Sequence, residues 1–375
     1  MKIAFITLSC AYNYGAVLQT YATYRFLQDL GHDAKLIDYT ADSYQIDRPD
    51  FVYRHTERWK KNFIFRFLWR QTRYRTARRK REHFRSFVRA QVPMTIPYFS
   101  NEELRRDPPE ADLYITGSDQ IWNTDFTADG QPELPYFLDF LPDTAHRIAY
   151  ASSFGKPALR EDEEPVICGL LKRFSAIGVR EDAGQKIVEE LGLKANVVVD
   201  PTLLVERQVW NELAAPRVCR EPYALVFLIF PDAELLQNAK ELARKRGLRL
   251  IVVSSYPSRT RNTVAMPKVE QWLSYFRHAE IIFTDSFHAT VFSLMFEREF
   301  VVSTRAKYNS RIDTLLNRAG ICERATKNCS LDVLEDILSQ RSDYEKVRER
   351  LGSFIEESKT WFTRVLSEAE KAVIK

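Results

Sequence analysis

The stretch Ile281-Ile-Phe-Thr-Asp-Ser-Phe-His-Ala-Thr-Val-Phe-Ser-Leu-Met-Phe296 combines the pattern of a buried strand with that of a buried helix. Its first four residues form an apolar run that is too short for a helix, which predicts a strand. Asp285 and Ser286 are residues that cap helices, and the residues after them are apolar on nearly every side. The sequence therefore predicts a strand that ends where a buried helix begins.

His288 falls in the first turn of this predicted helix, at the carboxyl end of the strand. In an open α/β sheet, ligands bind at that edge. A helix N-terminus attracts anions and disfavours an added positive charge on an imidazole ring. The position suits an anionic ligand and a histidine that transfers a proton. On these residues alone, a histidine that only hydrogen-bonds to a neighbouring backbone group is an equal alternative.

The composition is that of a soluble globular protein with two domains. The 375 residues are 45% hydrophobic and 28% charged, and this length is enough for two cores. The five cysteines stand singly, with no histidine at metal-ligand spacing, so we expect reduced thiols and no metal site. The apolar run over 1–8 is too short for a signal peptide, and no segment has the roughly 18 apolar residues of a transmembrane helix. We expect a cytoplasmic protein.

Strand and helix patterns alternate along the first half of the chain. A strand is predicted over Lys2–Leu8, a helix after Gly15, and a second strand over Ala34–Tyr39. Further apolar runs, each followed by a polar turn, cover 111–116, 147–155, 176–182 and 196–202. This alternation predicts a doubly wound parallel sheet, with the polar turns at its carboxyl edge.

A connector over 209–222 interrupts the alternation, which then begins again. The second set of predicted strands covers 224–230, 248–255, 281–284 and 300–304. The sequence therefore predicts an α/β protein with two Rossmann-like domains, 1–208 and 223–341, that face a cleft in a GT-B-like arrangement. A charged C-terminal helix is predicted over 342–375.

The segment over 51–92 departs from this pattern and is predicted as a basic helical insertion in the first domain. Within 54–89, 14 Lys and Arg residues stand against two acidic residues, a net charge of +12, whereas the whole chain carries +4. Trp59, Phe63 and Phe67 recur every four residues and so share one face of a predicted helix. The positive charge of the protein is concentrated in this one segment.

Three interpretations of the basic segment stay open. A pair of helices can pack on the domain with its arginines in solvent. A helix rich in Trp, Phe, Arg and Lys can also lie at the surface of an anionic membrane. Nucleic-acid binding ranks third, because no recognised nucleic-acid-binding module accompanies the charge.

Polar residues at the predicted carboxyl edges are the candidates for ligand binding. In the second domain, Arg311 and Asn309 stand at the start of another helix, and two helix N-termini with an arginine suit a phosphate or a carboxylate. In the first domain, Arg180 either binds an anion or pairs with Glu181 or Asp182. Asp200, before a proline, is either a turn residue or a site residue. The other candidates of this domain are Asn13, Gly15, Ser118, Asp119, Gln120, Ser152 and Ser153.

Several motifs resemble those of the polysaccharide pyruvyl transferase family. They are Ile3–Thr7 with Tyr12–Gln19, Gly117-Ser-Asp-Gln-Ile-Trp-Asn123, Val179-Arg-Glu-Asp182, Asp200-Pro-Thr-Leu-Leu204 and Thr284-Asp-Ser-Phe-His-Ala-Thr290. The resemblance covers nearly the whole chain outside 50–95, with the motifs in the expected order. It implies a GT-B-like fold and an enzyme that transfers an enolpyruvyl unit from phosphoenolpyruvate to a sugar, usually as a cyclic ketal, without a metal or redox cofactor.

The resemblance also implies roles for individual residues. His288 matches the histidine of the family's His-Gly-Thr motif, and Arg180 matches the arginine of its Arg-Glu-Asp motif, which makes both catalytic candidates. Ser286 stands where some members carry an arginine, and Ala289 stands where the family has glycine. We expect donor or anion binding by Arg311, Ser286, Asn309 and Thr290, and acceptor binding by Asn13, Gly15, Ser118, Asp119, Gln120 and Ser153.

The sequence thus predicts a cytoplasmic pyruvyl transferase of cell-surface polysaccharide synthesis, with a saccharide acceptor that is free or lipid-linked. The basic segment over 54–89 would bring the enzyme to the inner face of the cytoplasmic membrane. A GT-B glycosyltransferase that uses a nucleotide sugar is the alternative enzyme. A nucleic-acid-binding protein is the alternative of another class, and it leaves the motifs at the strand ends unexplained.

Overall fold

The structure of the protein is a computed structural model that describes residues 1–41, 44–45, 63–127, 129–256, 263–304 and 309–374. For 63–73 and 374 the description covers the backbone alone. The chain forms two compact units. The first comprises Met1–Pro201 together with Ser358–Lys375, and the second comprises Thr202–Glu357.

The first unit contains a sheet of seven parallel strands. They are β1 (Lys2–Ile6), β2 (Asp33–Tyr39), β3 (Met94–Tyr98), β4 (Leu113–Thr116), β5 (Arg147–Ser152), β6 (Ala176–Val179) and β7 (Asn196–Val197). Their order is β3-β2-β1-β4-β5-β6-β7. Successive strands are therefore added on one side of β1 up to β3 and on its other side from β4 onward, while all strands stay parallel. This change of side, between β1 and β4, is the switch point at which open α/β sheets bind ligands.

Helices connect these strands. They are α1 (Tyr14–Asp29), α2 (Phe63–Gln91), α3 (Asn101–Arg106), α4 (Glu164–Leu171), α5 (Asp182–Glu190) and the short α6 (Pro201–Leu204), which begins at the end of the unit. Helix α1 begins where the side-chain oxygen of Asn13 accepts a hydrogen bond from the backbone N–H of Ala16 at 2.8 Å. A short 3-10 helix, Ser9–Ala11, separates β1 from α1, and the cap places the start of α1 at the switch point.

The second unit repeats the strand order of the first. Its parallel strands are β8 (Tyr223–Phe227), β9 (Arg249–Ser254), β10 (Thr263–Ala265), β11 (Ile281–Thr284), β12 (Glu299–Ser303) and β13 (Ala325–Thr326). Their order is β10-β9-β8-β11-β12-β13, which puts a second switch point between β8 and β11. Its helices are α7 (Arg207–Leu213), α8 (Ala233–Lys245), α9 (Val269–His278), α10 (Phe287–Met295), α11 (Ser310–Ala319), α12 (Leu331–Ser339) and the first part of α13 (Tyr344–Ile374).

A core of buried apolar side chains joins β8 and β11 to α8 and α12. Val226 and Phe283 from the strands pack with Leu235 and Leu242 from α8 and with Leu334 from α12. Leu235 and Leu242 are seven residues apart and so share one face of their helix. This packing holds β11 in place, and the candidate residues Ser286, His288 and Thr290 follow directly after that strand.

The predicted fold class is confirmed, because each unit is a parallel α/β sheet of Rossmann-like order. Three short edge strands were not predicted: β3, β10 and β13. β3 contains Pro97, which an edge strand tolerates, and edge strands need no long apolar run. The range 196–202 was predicted as an apolar strand followed by a polar turn. Its strand, β7, ends at Val197, and Pro201 takes the first position of a helix, α6, which it favours. Helix α7 occupies part of the connector expected over 209–222.

In its described part, the basic segment is the single 29-residue helix α2. Residues 54–62, which include Trp59, lie outside the described residues. Toward its C-terminal end, Phe84 packs edge-on against Tyr14 of α1 at 4.9 Å between ring centroids. The opposite face of the helix carries exposed side chains at spacings of three and four residues: Arg75, Arg78, Arg79, Glu82, Ser86 and Arg89.

Across the described part of the chain, every helix is too short or too polar to cross a membrane.

Candidate functional site

His288 lies at the switch point of the second unit. β11 ends at Thr284, and α10 begins where the Ser286 hydroxyl oxygen accepts a hydrogen bond from the backbone N–H of Ala289 at 3.4 Å. The imidazole is in the first turn of α10 and is buried, with 7% of the residue exposed. The local strand, cap and helix signals thus place this histidine where the sequence indicated.

The side chains of Thr284 and Asp285, just before α10, hydrogen-bond to the end of β8 and to the loop after it. The Thr284 hydroxyl donates to the backbone oxygen of Phe227 at 2.6 Å. The Asp285 carboxylate accepts from the backbone N–H groups of Ile229, at 2.6 Å, and of Phe230, at 3.0 Å. The sequence indicated Asp285 only as a capping residue. Its bonds to the loop after β8 depend on strand order, which the sequence motif does not encode.

Arg311 and His288 are joined through one aromatic ring. The guanidinium carbon of Arg311 lies 5.6 Å from the ring centroid of Phe287, and the rings of Phe287 and His288 are 5.2 Å apart between centroids. We call Phe287, His288 and Arg311 the His288 group. Asn309 precedes α11 at its N-cap position, without a side-chain cap bond. The structure therefore brings a cation, a histidine and two helix starts to one edge of the sheet.

Ser286 and Thr290, which were also predicted to bind the donor substrate, make hydrogen bonds within α10 itself. The Ser286 hydroxyl caps α10, and the Thr290 hydroxyl donates to the backbone oxygen of Ser286 at 2.9 Å. Both bonds are of the local kind that stabilise a first helical turn. Their expected contact with the donor stays a prediction.

In the first unit, Arg180 lies between two aspartates at the end of β6. One terminal nitrogen of its guanidinium is 2.6 Å from Asp200 Oδ2, and the other is 3.1 Å from Asp119 Oδ1. The Ser118 hydroxyl donates to the same oxygen of Asp200 at 3.1 Å. We call Ser118, Asp119, Arg180 and Asp200 the Arg180 cluster. Asp200 is thus an ion-pair partner in addition to preceding Pro201.

The Arg180 cluster is buried and strongly charged. Only 3% of Arg180 and 1% of Asp200 are exposed. The pKa of Arg180 is raised: burial acts against its charge, but the carboxylates of Asp200 and Asp119 outweigh that effect. The arginine is therefore held as a cation by carboxylates of the protein itself.

Glu181 binds the loop after β5. Its Oε1 accepts hydrogen bonds from the Ser153 hydroxyl at 2.8 Å and from the backbone N–H groups of Phe154 and Gly155 at 3.0 and 3.1 Å. The sequence offered Glu181 as a partner of Arg180, whereas the structure gives it this backbone-binding role. Ser153, an acceptor candidate, is consequently engaged with Glu181.

The loop after β4 is packed closely against the loop after β5. The backbone oxygen of Asp119 accepts from the backbone N–H of Ser153 at 3.0 Å, and Gln120 binds the Asn123 amide through its side chain at 2.8 Å. Asp119 itself has a left-handed backbone, with φ of 78°. These bonds fix where Asp119 and Gln120 stand at the sheet edge.

Asn13 and Gly15 are the candidates at the start of α1. Asn13 caps the helix, and Gly15 is buried in its first turn. The Thr7 hydroxyl donates to the backbone oxygen of Ser118 at 2.8 Å and accepts from the Gln19 amide at 2.7 Å. Thr7 and Gln19 were not indicated as site residues, although they tie α1 to the loop after β4.

Among the residues that the structure describes, no group of three His, Cys, Asp or Glu side chains is placed to hold a metal ion.

Solved structures with a similar fold include three UDP-N-acetylglucosamine 2-epimerases. The putative enzyme from Listeria monocytogenes is 8% identical, with 92% of this chain and 90% of that chain covered and a TM-score of 0.53. The Rickettsia bellii enzyme is 10% identical, with 99% of this chain and 97% of that chain covered and a TM-score of 0.53. The Neisseria meningitidis enzyme, bound to UDP-GlcNAc, is 12% identical, with 98% of this chain and 100% of that chain covered and a TM-score of 0.51. At such identities the likeness shows the fold alone.

No curated protein matches the chain significantly. The model of the polysaccharide pyruvyl transferase family matches residues 13–305. This match runs from the cap of α1 to just beyond β12 and includes every motif in the range that resembles the family. It covers well over half of the chain, in both units. The chain therefore belongs to the polysaccharide pyruvyl transferase family.

Proposed function

We propose that this protein transfers the enolpyruvyl group of phosphoenolpyruvate to hydroxyls of a sugar, with cyclic ketal formation, in the synthesis of a cell-surface polysaccharide. The observation that carries the proposal is the His288 group at the switch point of the second unit, in a chain of the pyruvyl transferase family. The acceptor is a saccharide, free or lipid-linked. The proposed reaction uses no metal or redox cofactor.

The second unit is the proposed donor side. Phosphoenolpyruvate carries a phosphate and a carboxylate, and the Arg311 guanidinium with the starts of α10 and α11 offers donors and positive charge to such groups. Ser286 stands where some family members have an arginine, so Arg311 is the proposed substitute for that anion contact. Asn309 and Thr290 are the proposed minor contacts.

His288 is the proposed acid that protonates the methylene carbon of the donor. Protonation there makes the adjacent carbon electrophilic, a sugar hydroxyl adds to it, and phosphate leaves with the electron pair of its C–O bond. Addition of a second hydroxyl closes the ketal. The two hydroxyl protons end on the new methyl group and on the released hydrogen phosphate, so atoms and charge balance.

A phosphate-release assay tests the proposal. The purified protein is incubated with phosphoenolpyruvate and galactosyl, mannosyl or glucosyl acceptors, and the ketal is identified by mass spectrometry. We expect release with at least one acceptor and a loss of about 10²–10⁴-fold in His288→Ala, as for removal of a general acid. His278→Ala, at the end of α9 in the same unit, is the matched control and should keep its activity. Full activity of His288→Ala contradicts the assignment.

A glycosyltransferase that uses a nucleotide sugar is the alternative function, since the similar structure from Neisseria meningitidis holds UDP-GlcNAc. The two functions predict different thermal protection. A pyruvyl transferase should be stabilised by phosphoenolpyruvate, because a ligand that binds the folded state raises the melting temperature. Protection by UDP-sugars without protection by phosphoenolpyruvate would favour the alternative.

We further propose that the basic segment over 54–89 contacts an anionic membrane, at the inner face of the cytoplasmic membrane. One face of α2 packs on α1, and the opposite face exposes Arg75, Arg78 and Arg79. Each basic residue near an anionic surface contributes about 1 kcal/mol. Such a surface would bring the enzyme to a lipid-linked acceptor.

Vesicle flotation tests this contact in the full-length protein. The change of Arg75, Arg78 and Arg79 to Gln should reduce flotation with vesicles that contain phosphatidylglycerol. The same change at the exposed basic residues of α8, Lys240, Arg244 and Lys245, is the control and should have little effect. Equal flotation of both variants contradicts the proposal, and salt-sensitive binding to DNA or RNA in place of vesicles favours the nucleic-acid alternative.

A further inference from the structure

The loop after β8 exposes three consecutive apolar residues, Ile229, Phe230 and Pro231. The exposed fraction is 43% for Ile229 and 48% for Phe230. We call residues 229–231 the apolar loop. Large apolar side chains are stabilised when they leave water, and a run of them on the surface usually marks a place where a ligand or partner binds. The apolar loop therefore has the character of a binding surface.

The backbone of the apolar loop is held at both of its ends. At its start, the Asp285 carboxylate accepts hydrogen bonds from the backbone N–H groups of Ile229 and Phe230. After its end, the Asp232 carboxylate caps α8 by accepting from a backbone N–H of the first turn at 2.9 Å. Pro231 also restricts the residue before it to extended backbone conformations. A loop that is fixed in this way loses little conformational entropy when it binds a ligand.

The apolar loop lies beside the His288 group, within the second unit. β8 pairs with β11 so that Phe227 stands opposite Thr284, and the chain leaves the two strands side by side. Asp285, which binds the loop, precedes His288 by three residues. Both features thus belong to one edge of one sheet. A ligand at the His288 group has the apolar loop as its neighbour.

The two proposed substrates differ in how well they suit the apolar loop. Phosphoenolpyruvate has a phosphate, a carboxylate and only one apolar group, its methylene. A sugar ring carries hydroxyl groups around its edge and C–H groups on its faces, and such C–H groups pack against the face of an aromatic ring. The attacking hydroxyl has to reach the donor carbon, so its sugar ring lies next to the donor. The acceptor is therefore the substrate that fits the apolar loop.

We propose that Phe230 binds the acceptor saccharide by stacking on the sugar ring that carries the attacking hydroxyl, with Ile229 in contact beside it. This inference rests on the proposed function, and it adds an acceptor contact in the second unit to the contacts predicted in the first. An axial hydroxyl on the stacked face would hold the sugar away from the aromatic ring. Phe230 is therefore a specificity-determining residue that distinguishes saccharides by the orientation of their hydroxyl groups.

Steady-state kinetics at saturating phosphoenolpyruvate test the stacking contact, with the acceptor that gives phosphate release. Phe230→Ala should raise the acceptor KM by about tenfold, as for the loss of the apolar contact of one aromatic side chain. Phe230→Tyr keeps the ring and should behave as the wild type, whereas Phe230→Leu should resemble Phe230→Ala. An acceptor KM of Phe230→Ala equal to that of the wild type overturns the proposal.

Two controls separate this contact from general effects of the substitutions. Val218 is an exposed β-branched residue that precedes β8 at the opposite edge of the sheet, so Val218→Ala is the matched control for Ile229→Ala. Ile229→Ala should raise the acceptor KM and Val218→Ala should not; equal effects overturn the proposal. Calorimetry should show unchanged affinity of Phe230→Ala for phosphoenolpyruvate. A tenfold loss of that affinity assigns the apolar loop to the donor and also overturns the proposal.

Saturation-transfer NMR distinguishes failure of this inference from failure of the proposed function, because it needs no turnover. Galactosyl, mannosyl and glucosyl saccharides are measured with the wild type and with Phe230→Ala. We expect transfer to the C–H protons of one ring face in the wild type and its loss in the variant. This pattern without phosphate release means that the proposed function fails and the stacking contact stands. Equal transfer in both proteins, or no saccharide binding by the wild type, overturns the inference.

Discussion

Gly117 is the residue that lets the loop after β4 approach β5. A Cβ atom at this position would lie 1.9 Å from the backbone oxygen of Tyr150, and the glycine has a φ of 118°. The obstacle is backbone, which cannot move aside as the end of a side chain can. We predict that Gly117→Ala lowers the free energy of unfolding by about 3 kcal/mol or more, from the overlap together with the unfavourable φ. Urea denaturation measures this.

Gly192 provides the control for the backbone effect. It also has a positive φ, 75°, but a Cβ there would meet nothing within 4 Å. Gly192→Ala should therefore cost only about 1–2 kcal/mol, the penalty of a left-handed conformation. Equal losses in the two variants would mean that the contact with Tyr150 relaxes freely. Since Ser118 and Asp119 follow Gly117, we also expect Gly117→Ala to weaken acceptor binding.

At the residue scale, the sequence predicts where a residue lies in the fold better than it predicts which side chains that residue pairs with. His288 follows from a strand run, a serine cap and an apolar helix, all within 16 residues of one another. The partners of Arg180 do not follow from such signals, because Asp200 is 20 and Asp119 is 61 residues away along the chain. The sequence offered the adjacent Glu181 and Asp182 instead. Asp119 follows β4 and Asp200 follows β7, so it is the order of β4, β5, β6 and β7 in the sheet that brings both aspartates to the arginine.

At the element scale, an ion pair links helix α2 to the first sheet, and aromatic side chains of α2 pack on α1. Arg85 of α2 pairs with Asp38 of β2, and the aspartate side chain is 8% exposed. Burial raises the pKa of Asp38 from its ordinary value, although the Arg85 guanidinium acts in the opposite direction. Asp38 therefore depends on Arg85 to stay charged inside the unit.

We predict that Arg85→Met is markedly destabilising at neutral pH. It leaves the Asp38 carboxylate buried without its cation, which typically costs about 3–5 kcal/mol. Because the folded pKa of Asp38 lies above its unfolded value, the contribution of this group to stability is complete below about pH 4 and is lost as the pH rises through the folded pKa. The variant raises that pKa further, so its defect should grow from acidic to neutral pH. Thermal unfolding over that range measures it.

Asp38→Asn/Arg85→Met is the matched control. It removes both charges, so most of the lost stability should return and the pH dependence should flatten. If the double variant is as unstable as Arg85→Met, the defect comes from packing of the arginine stem and not from the carboxylate. Phe84 and Phe87, which pack on Tyr14 and Tyr21 of α1, stay unchanged throughout.

Elements with a strong local pattern were predictable, and elements defined by their neighbours were not. β11 matches its predicted bounds because its apolar run and the cap that follows it are local signals. β10 and β13, of three and two residues, exist as strands only because β9 and β12 offer a free edge for pairing. A strand or helix can therefore be predicted from the sequence when its apolar pattern is long enough to be recognised without its neighbours in the sheet.

At the scale of the whole molecule, α13 supplies side chains to both units. Its residues up to Glu357 belong to the second unit, and those from Ser358 belong to the first. Phe362 stacks on Tyr150 of β5 at 4.0 Å between ring centroids and on Phe26 of α1 at 5.6 Å. Phe354, two turns earlier, lies under the Arg318 guanidinium of α11 at 4.8 Å. A charged C-terminal helix was predicted, but its division between the units was not, since both parts have the same amphipathic pattern.

We predict that substitutions of these two phenylalanines loosen different units. Phe362→Ala removes a ring that is 1% exposed from the core of the first unit, a change that typically costs about 3–5 kcal/mol. Hydrogen–deuterium exchange should therefore accelerate in peptides from β5 and α1. Phe354→Ala is the matched control on the same helix and should accelerate exchange in peptides from α11, because its ring contacts Arg318. Equal acceleration of both sets of peptides by either variant would contradict the division, because it would mean that the two units open in one cooperative step.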